Sequence, residues 1–173
     1  MATKKSMWIV FGILVISVWV LGSANQSVAA TMKCRTAATV TKSETIPVSD
    51  EEGHILGLSI LQGLAFFDNG EIAKLRVHAI ADTIPKKGGQ AITYQIYTFE
   101  DGSTFVGRNQ RLMVADERGN FSGKVTNELI KGTGRFEGIK GTGSATGKNF
   151  LGREEEATRT TNEFTFTYTL PTK

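Results

Sequence analysis

From residue 54 onward, apolar and polar side chains alternate with a period of two, and the 3.6-residue repeat of an amphipathic helix is nearly absent. That period sends successive side chains to opposite faces of a pleated strand, so the pattern predicts an all-β protein. The last run is the cleanest: Phe164, Phe166, Tyr168 and Leu170 alternate with Thr165, Thr167 and Thr169, as in a half-buried strand of aromatic and β-branched residues. Earlier, Ala73, Leu75, Val77 and Ala79 alternate with Lys74, Arg76 and His78, which puts the charges and His78 on the solvent side. In residues 56–66 the bulky Leu58, Ile60, Leu64 and Phe66 share one face with Gln62, while Gly57, Ser59, Gly63 and Ala65 share the other. Taking the bulky face as inward, the same rule turns Val106, Leu112 and Val114 inward with Arg108 and Gln110 among them. It turns Phe121, Val125 and Leu129 inward with Asn127, and leaves Glu128 outside. Ser49 and Glu52 have the spacing of a helix capping box, but Gly53, Gly57 and Gly63 disfavour a helix behind it, and the strand is kept.

Turn chemistry separates these runs. Asn69-Gly70 is a hairpin signal, residues 85–89 read as a loop, and residues 100–103 and 116–120 close further hairpins. In residues 132–143 five glycines bracket Phe136 and Ile139, which predicts a sharp connection with those two side chains plugged into a core. Glycine-rich loops cradle phosphate when a helix follows and presents its free N–H groups. Residues 144–148 read as strand or loop, with no Gly-Lys-Ser/Thr ending, so a nucleotide site is not expected. Seven strands are counted from Leu56, and residues 35–48 can supply one more.

The first residues are of another kind. Lys4 and Lys5 precede an apolar run over residues 7–22 and a small-polar stretch containing Ser27-Val28-Ala29, the three-part pattern of a secretory leader. An uncleaved anchor is the alternative, although the apolar run is a little short of the ~20 residues that a spanning helix needs. The expected organisation is a signal peptide over residues 1–29 and an N-terminal extension with a candidate first strand over 30–53. The barrel domain follows over residues 54–173. Cleavage removes Lys4 and Lys5 and takes 20 basic residues to 18, against 17 acidic ones. The mature chain is then nearly neutral, and without a basic stripe carrying interleaved aromatics no nucleic-acid partner is expected. Stable membrane insertion is not expected once the leader is gone. Cys34 is the only cysteine, so no internal disulfide can form. The histidines, His54 and His78, stand apart from any zinc-like cluster, and neither a metal nor another cofactor is expected.

Several short motifs occur in a familiar order. Residues 132–141 resemble the Gly-Thr-Gly-x-Phe-x-x-x-x-Gly turn of the dirigent proteins, found in variant form in the allene oxide cyclases. Gly102-Ser103-Thr104 followed by Gly107-Arg108-Asn109 resembles a dirigent pattern with a shortened gap, and Pro85-Lys86-Lys87-Gly88 with Tyr94 and Tyr97 resembles the cyclase side. This resemblance covers roughly residues 54–170. It implies an antiparallel eight-stranded closed barrel, related in shape to lipocalins and often a homotrimer. Leu64-Ala65-Phe66-Phe67 stands where the cyclases carry a cysteine, and their working carboxylate has no match, so allene oxide cyclisation is not expected.

A barrel of eight strands is either filled or open enough for one small ligand. The inward set read from alternation is apolar apart from Gln62, Tyr94, Arg108, Gln110, Asn127 and Tyr168, the candidate ligand-binding residues. A few polar groups in an apolar lining fit a site for a small, largely apolar molecule; the alternative is that they satisfy one another in a filled core. Binding is favoured over catalysis, and an enzyme, if there is one, would be isomerase- or cyclase-like. Dirigent-like guidance of a reactive intermediate would need only a shaped pocket with an acid, for which Asp50, Asp82 and Glu128 are the candidates if one faces inward. A purely structural or interaction barrel is the third reading. Secretion or export to the periplasm follows from the leader, with membrane anchoring as the alternative. Trp8 and Trp19, the chain's two tryptophans, both lie in the leader, so the mature product should show no tryptophan emission. Tryptophan emission from the purified protein would mean the leader is retained.

Overall fold

The computed structural model describes residues 29–150 and 158–172, so the expected leader lies outside the described residues. Eight strands follow one another: β1 (Ala30–Pro47), β2 (Ile55–Phe67), β3 (Ile72–Ile84), β4 (Gly88–Thr98), β5 (Thr104–Ala115), β6 (Phe121–Thr133), β7 (Lys140–Phe150) and β8 (Arg159–Thr169). Each pairs antiparallel with the next and β1 pairs with β8, closing the barrel and removing every sheet edge. β1 takes up most of the stretch read as an extension. Apart from Met32, its inward residues Cys34, Thr36 and Ala38 are small, a weaker signal than the aromatic alternation of β8.

One repeated turn joins β2 to β3, β4 to β5 and β5 to β6. At Phe67, Phe99 and Asp116 the N–H bonds to the carbonyl four residues on, at 2.9 Å in all three turns. The residue before that acceptor is a glycine at positive φ: Gly70 (87°), Gly102 (79°) and Gly119 (81°). The Asn69-Gly70 signal therefore belongs to a turn one residue longer than the two-residue type, with glycine in the left-handed position. The connection from β6 to β7 contains a 3-10 turn at Gly134–Phe136 and buries Phe136 and Ile139, as the glycine spacing predicts.

The β2–β3 and β4–β5 turns and the β6–β7 connection lie at one end of the barrel, which aromatic side chains shut, while the β5–β6 turn lies at the other. Tyr97 and Phe105 stack with ring centroids 4.4 Å apart, Phe164 and Phe166 at 5.2 Å, and Phe136 lies against Phe99 at 5.0 Å. Fully burying each such ring contributes about 1.5–3 kcal/mol. Arg135 covers the plug, its guanidinium carbon 4.6 Å from the centre of the Phe99 ring, and it is itself held by Glu71 at 2.5 Å. β1 begins and β8 ends at this plugged end, where Ala30 faces Tyr168.

Judging the inward face by bulk misplaces β2 and β5: on β5 Leu112 and Val114 point outward, and Asn109, Arg111 and Met113 inward. On β2 the bulky Leu58, Leu64 and Phe66 point outward, and Gly57, Ser59, Gly63 and Ala65 face the interior together with Leu61 and Phe67. The cause is register. Directly opposed residues of an antiparallel pair share a face, and Leu61, Gly63 and Ala65 oppose the inward Val77, Leu75 and Ala73. As a result the outer surface over β2 to β5 carries exposed apolar side chains, Leu58, Ile80 and Leu112 at 54%, 55% and 72%, among charged and polar ones such as Lys74, Arg76 and Arg108. Over β6, β7 and β8 it carries instead threonine, lysine and glutamate, so no apolar band runs round the barrel as a transmembrane barrel requires. No helix among the described residues is long and apolar enough to cross a membrane.

At the other end, residues 48–54 fold back over the rim. His54 bridges two carboxylates, Nδ1 to Asp50 Oδ1 at 2.5 Å and Nε2 to Asp82 Oδ1 at 2.7 Å, and so straps this loop to β3. Lys87 pairs with Glu51 beside it. With both ring nitrogens donating, the imidazolium is favoured: the bonds to Asp82 and then Asp50 raise its pKa, and the His54 bond lowers that of Asp50. A raised folded-state pKa means that the histidine's contribution is full below its unfolded value and fades as pH climbs through the raised one; the lowered Asp50 value makes its contribution fade as pH falls through that. Proton NMR should therefore show His54 titrating above a free imidazole, and Asp82→Asn should bring the midpoint down. A His54 midpoint at or below that of free imidazole would rule out the strap.

Candidate functional site

Beyond the aromatic plug, the interior opens into a cavity of about 230 Å³. Its walls are made by the inward faces of the strands at the unplugged end, where Gly57, Ala79, Ala81 and Ala91 leave the space and Ile55 and Met113 line it. Polar side chains cross its floor as a belt. Asn127 Nδ2 donates to Asn109 Oδ1 at 2.5 Å, and Asn109 Nδ2 to Thr93 Oγ1 at 2.9 Å. Tyr97 Oη, at the top of the plug, donates to Gln95 Oε1 at 2.6 Å, and burial holds the phenol well above its ordinary pKa, so it stays a donor.

Arg111 is the dominant member. It is only 9% exposed; Nη1 donates to Asn149 Oδ1 at 2.7 Å and Nη2 to Asn162 Oδ1 at 2.6 Å. Asn162 is in turn anchored to Thr36 and Thr160, each at 3.3 Å. Room for the guanidinium comes from β4 and β7: Ala91 stands opposite Arg111, and a Cβ at Gly147 would collide with Arg111 Nη2 and Asn162 Oδ1. Its Nε has no partner, and no Asp or Glu is among the described residues that line the cavity. Burial lowers its pKa with no carboxylate to offset the effect. A guanidinium stays charged even so, which leaves a cation in a low-dielectric wall with neutral amides for company.

Two of the six residues singled out from sequence face the interior. Asn127 belongs to the belt, and Tyr168 lies inward but at the plugged end, packed on the aromatic core. The other four correct the expectation: Gln62, Tyr94, Arg108 and Gln110 are on the outer face, where Tyr94 opposes Arg108 and Arg108 opposes Glu128. A change of one residue in the choice of inward face exchanges Arg108 and Gln110 for Asn109 and Arg111. The signal for the true set lies in β8, because the parity that turns Phe164 and Phe166 inward also turns Asn162 and Thr160 inward. Asp50 and Asp82 are engaged at the His54 strap and Glu128 looks outward, so none of the three candidate acids reaches the cavity.

Reactive groups are scarce in this lining. Cys34 is buried in the plug, its thiol pushed up to about 12 by burial and then by the nearby Asp68, and a protonated thiol is a poor nucleophile. Among the described residues no cluster of His, Cys, Asp and Glu is set to hold a metal ion. The arrangement can enclose a small molecule, offer it neutral hydrogen-bonding groups and one positive charge, and keep water from its apolar part.

No protein-family model matches the sequence, and no curated protein matches it. The chain is similar in structure to the pterocarpan synthase dirigent protein GePTS1, with a TM-score of 0.50 at 10% identity over 84% of this chain and 88% of that one. It is also similar to the pterocarpan synthase dirigent protein PsPTS1, at a TM-score of 0.47 and 12% identity over 85% and 99% of the two chains. The first likeness and the closed ring of eight antiparallel strands together give this chain the fold of a dirigent-like barrel.

Proposed function

We propose that this protein is an exported barrel that takes one small, largely apolar molecule into its unplugged half. The observation that carries this reading is the cavity of about 230 Å³ between the aromatic plug and the rim, walled mainly by small and apolar side chains with a polar belt at its floor. An apolar cavity of about 150 Å³ holds benzene, so this one suits a single ring or a short chain rather than a multi-ring body. The leader pattern at residues 1–29 supports export.

A second reading, guidance of a reactive intermediate, is favoured by the fold shared with a pterocarpan synthase dirigent protein. In the lining described here that guidance would act through shape and positioning, since neither a carboxylate nor an ionised thiol is at hand. Product stereochemistry with and without the barrel separates it from simple binding.

The exposed apolar side chains over β2 to β5, Leu58, Ile80 and Leu112 among them, support a homo-oligomer, the trimer that the family resemblance implies, because clustered exposed apolar groups mark contact sites. Native mass should then be a multiple of the chain's, and Ile80→Glu should reduce it to one copy. A monomer in the unaltered protein at tens of micromolar would reject association, on the order of affinity expected for such interfaces.

For the cavity, a small fluorescent apolar probe should be taken up by the mature protein with about one-to-one stoichiometry. Ala81→Phe, which fills the space from β3, should abolish uptake while the far-ultraviolet spectrum stays that of a β protein. Equal uptake by the filled variant, or none by the unaltered barrel, would refute the pocket.

A further inference from the structure

We infer that the molecule held in the cavity carries one carboxylate, which pairs with Arg111 at the cavity floor. This rests on the pocket proposed above and adds the chemical class of its occupant. Arg111 is the only charged side chain among the described residues lining the cavity. It is about nine-tenths buried, and its known partners are two neutral amide oxygens. Those amides hold the guanidinium in place without neutralising it, and Nε remains a donor without an acceptor. A buried charge that lacks an opposite charge is strongly destabilising unless something supplies one, and a planar carboxylate can accept two parallel N–H···O bonds from a guanidinium.

Charge balance narrows the class further. One cation with no second basic group in the lining neutralises a singly charged anion; a phosphate would bring up to two negative charges into the same apolar walls. The size of the cavity and the alanine and glycine lining near Arg111 call for a compact apolar body on that carboxylate. The occupant is therefore a monocarboxylic acid with one ring or a short chain, bound acid end down and apolar end toward the rim.

The alternative role for Arg111 is structural, a tie from β5 to Asn149 on β7 and Asn162 on β8. Titration calorimetry of the mature protein with benzoate and octanoate, each beside its neutral amide, distinguishes the two. The acids should bind at least about tenfold more tightly than the amides, the scale of a charge-assisted pair over a neutral one. Their affinity should drop as pH falls through the ligand's own pKa near ~4, a readout on the unaltered protein that needs no variant. Arg111→Gln should erase the preference for acid over amide. If amide and acid bind alike, the inference fails while the pocket stands; if neither binds and the apolar probe is also refused, the pocket reading itself fails.

Discussion

The interior of a closed eight-stranded sheet is narrow, and every inward side chain must fit against those projecting from across the lumen. In this chain β7 yields the space. Its inward positions are Gly141, Gly143, Ala145, Gly147 and Asn149, and a Cβ at Gly143 would lie 2.6 Å from the Phe166 ring. Gly143 is thus the reason that β8 can send aromatic rings inward, and Gly147 the reason that Arg111 and Asn162 can meet. A larger residue at Gly143 would have to displace a fully buried ring, and one at Gly147 would have to break the contact between Arg111 and Asn162.

The same restriction divides the lumen by chemistry. Aromatic rings pack the end that holds the Gly70 and Gly102 turns and the Gly134–Phe136 turn, where stacking is well defined. Past them the side chains shrink to alanine, glycine and threonine, and the polar belt lies at the boundary. A guanidinium within the plug would have found no acceptors; one step nearer the rim it reaches Asn149 and Asn162. Burying it still costs several kcal/mol unless an opposite charge is supplied. Position in the lumen, rather than strand propensity, sets what each inward residue can be.

Much of this architecture was legible in the order of residues. The strands from β2 to β8, the role of Phe136 and Ile139, and the inward aromatic row of β8 all follow from period-two alternation and glycine spacing. The site was less legible because alternation fixes a period but not a parity. On β2 and β5 the bulky residues lie outside, where Leu58 and Leu112 form part of the apolar surface, and judging the inward face by bulk chose the wrong one. Pairing across the β2 to β3 hairpin would have corrected β2, since Ala65 opposes Ala73. Arg111 required one step more, because a buried arginine contradicts ordinary hydrophobic patterning and shows itself only through the gap left by Gly147.

Both chain ends described here, Ala30 at the start of β1 and Thr169 at the end of β8, emerge beside the aromatic plug, at the pole opposite the His54 strap. Whatever is attached to either terminus, an anchor or a fused domain, hangs from the sealed pole. The cavity therefore opens on the half of the barrel turned away from both of those strand ends.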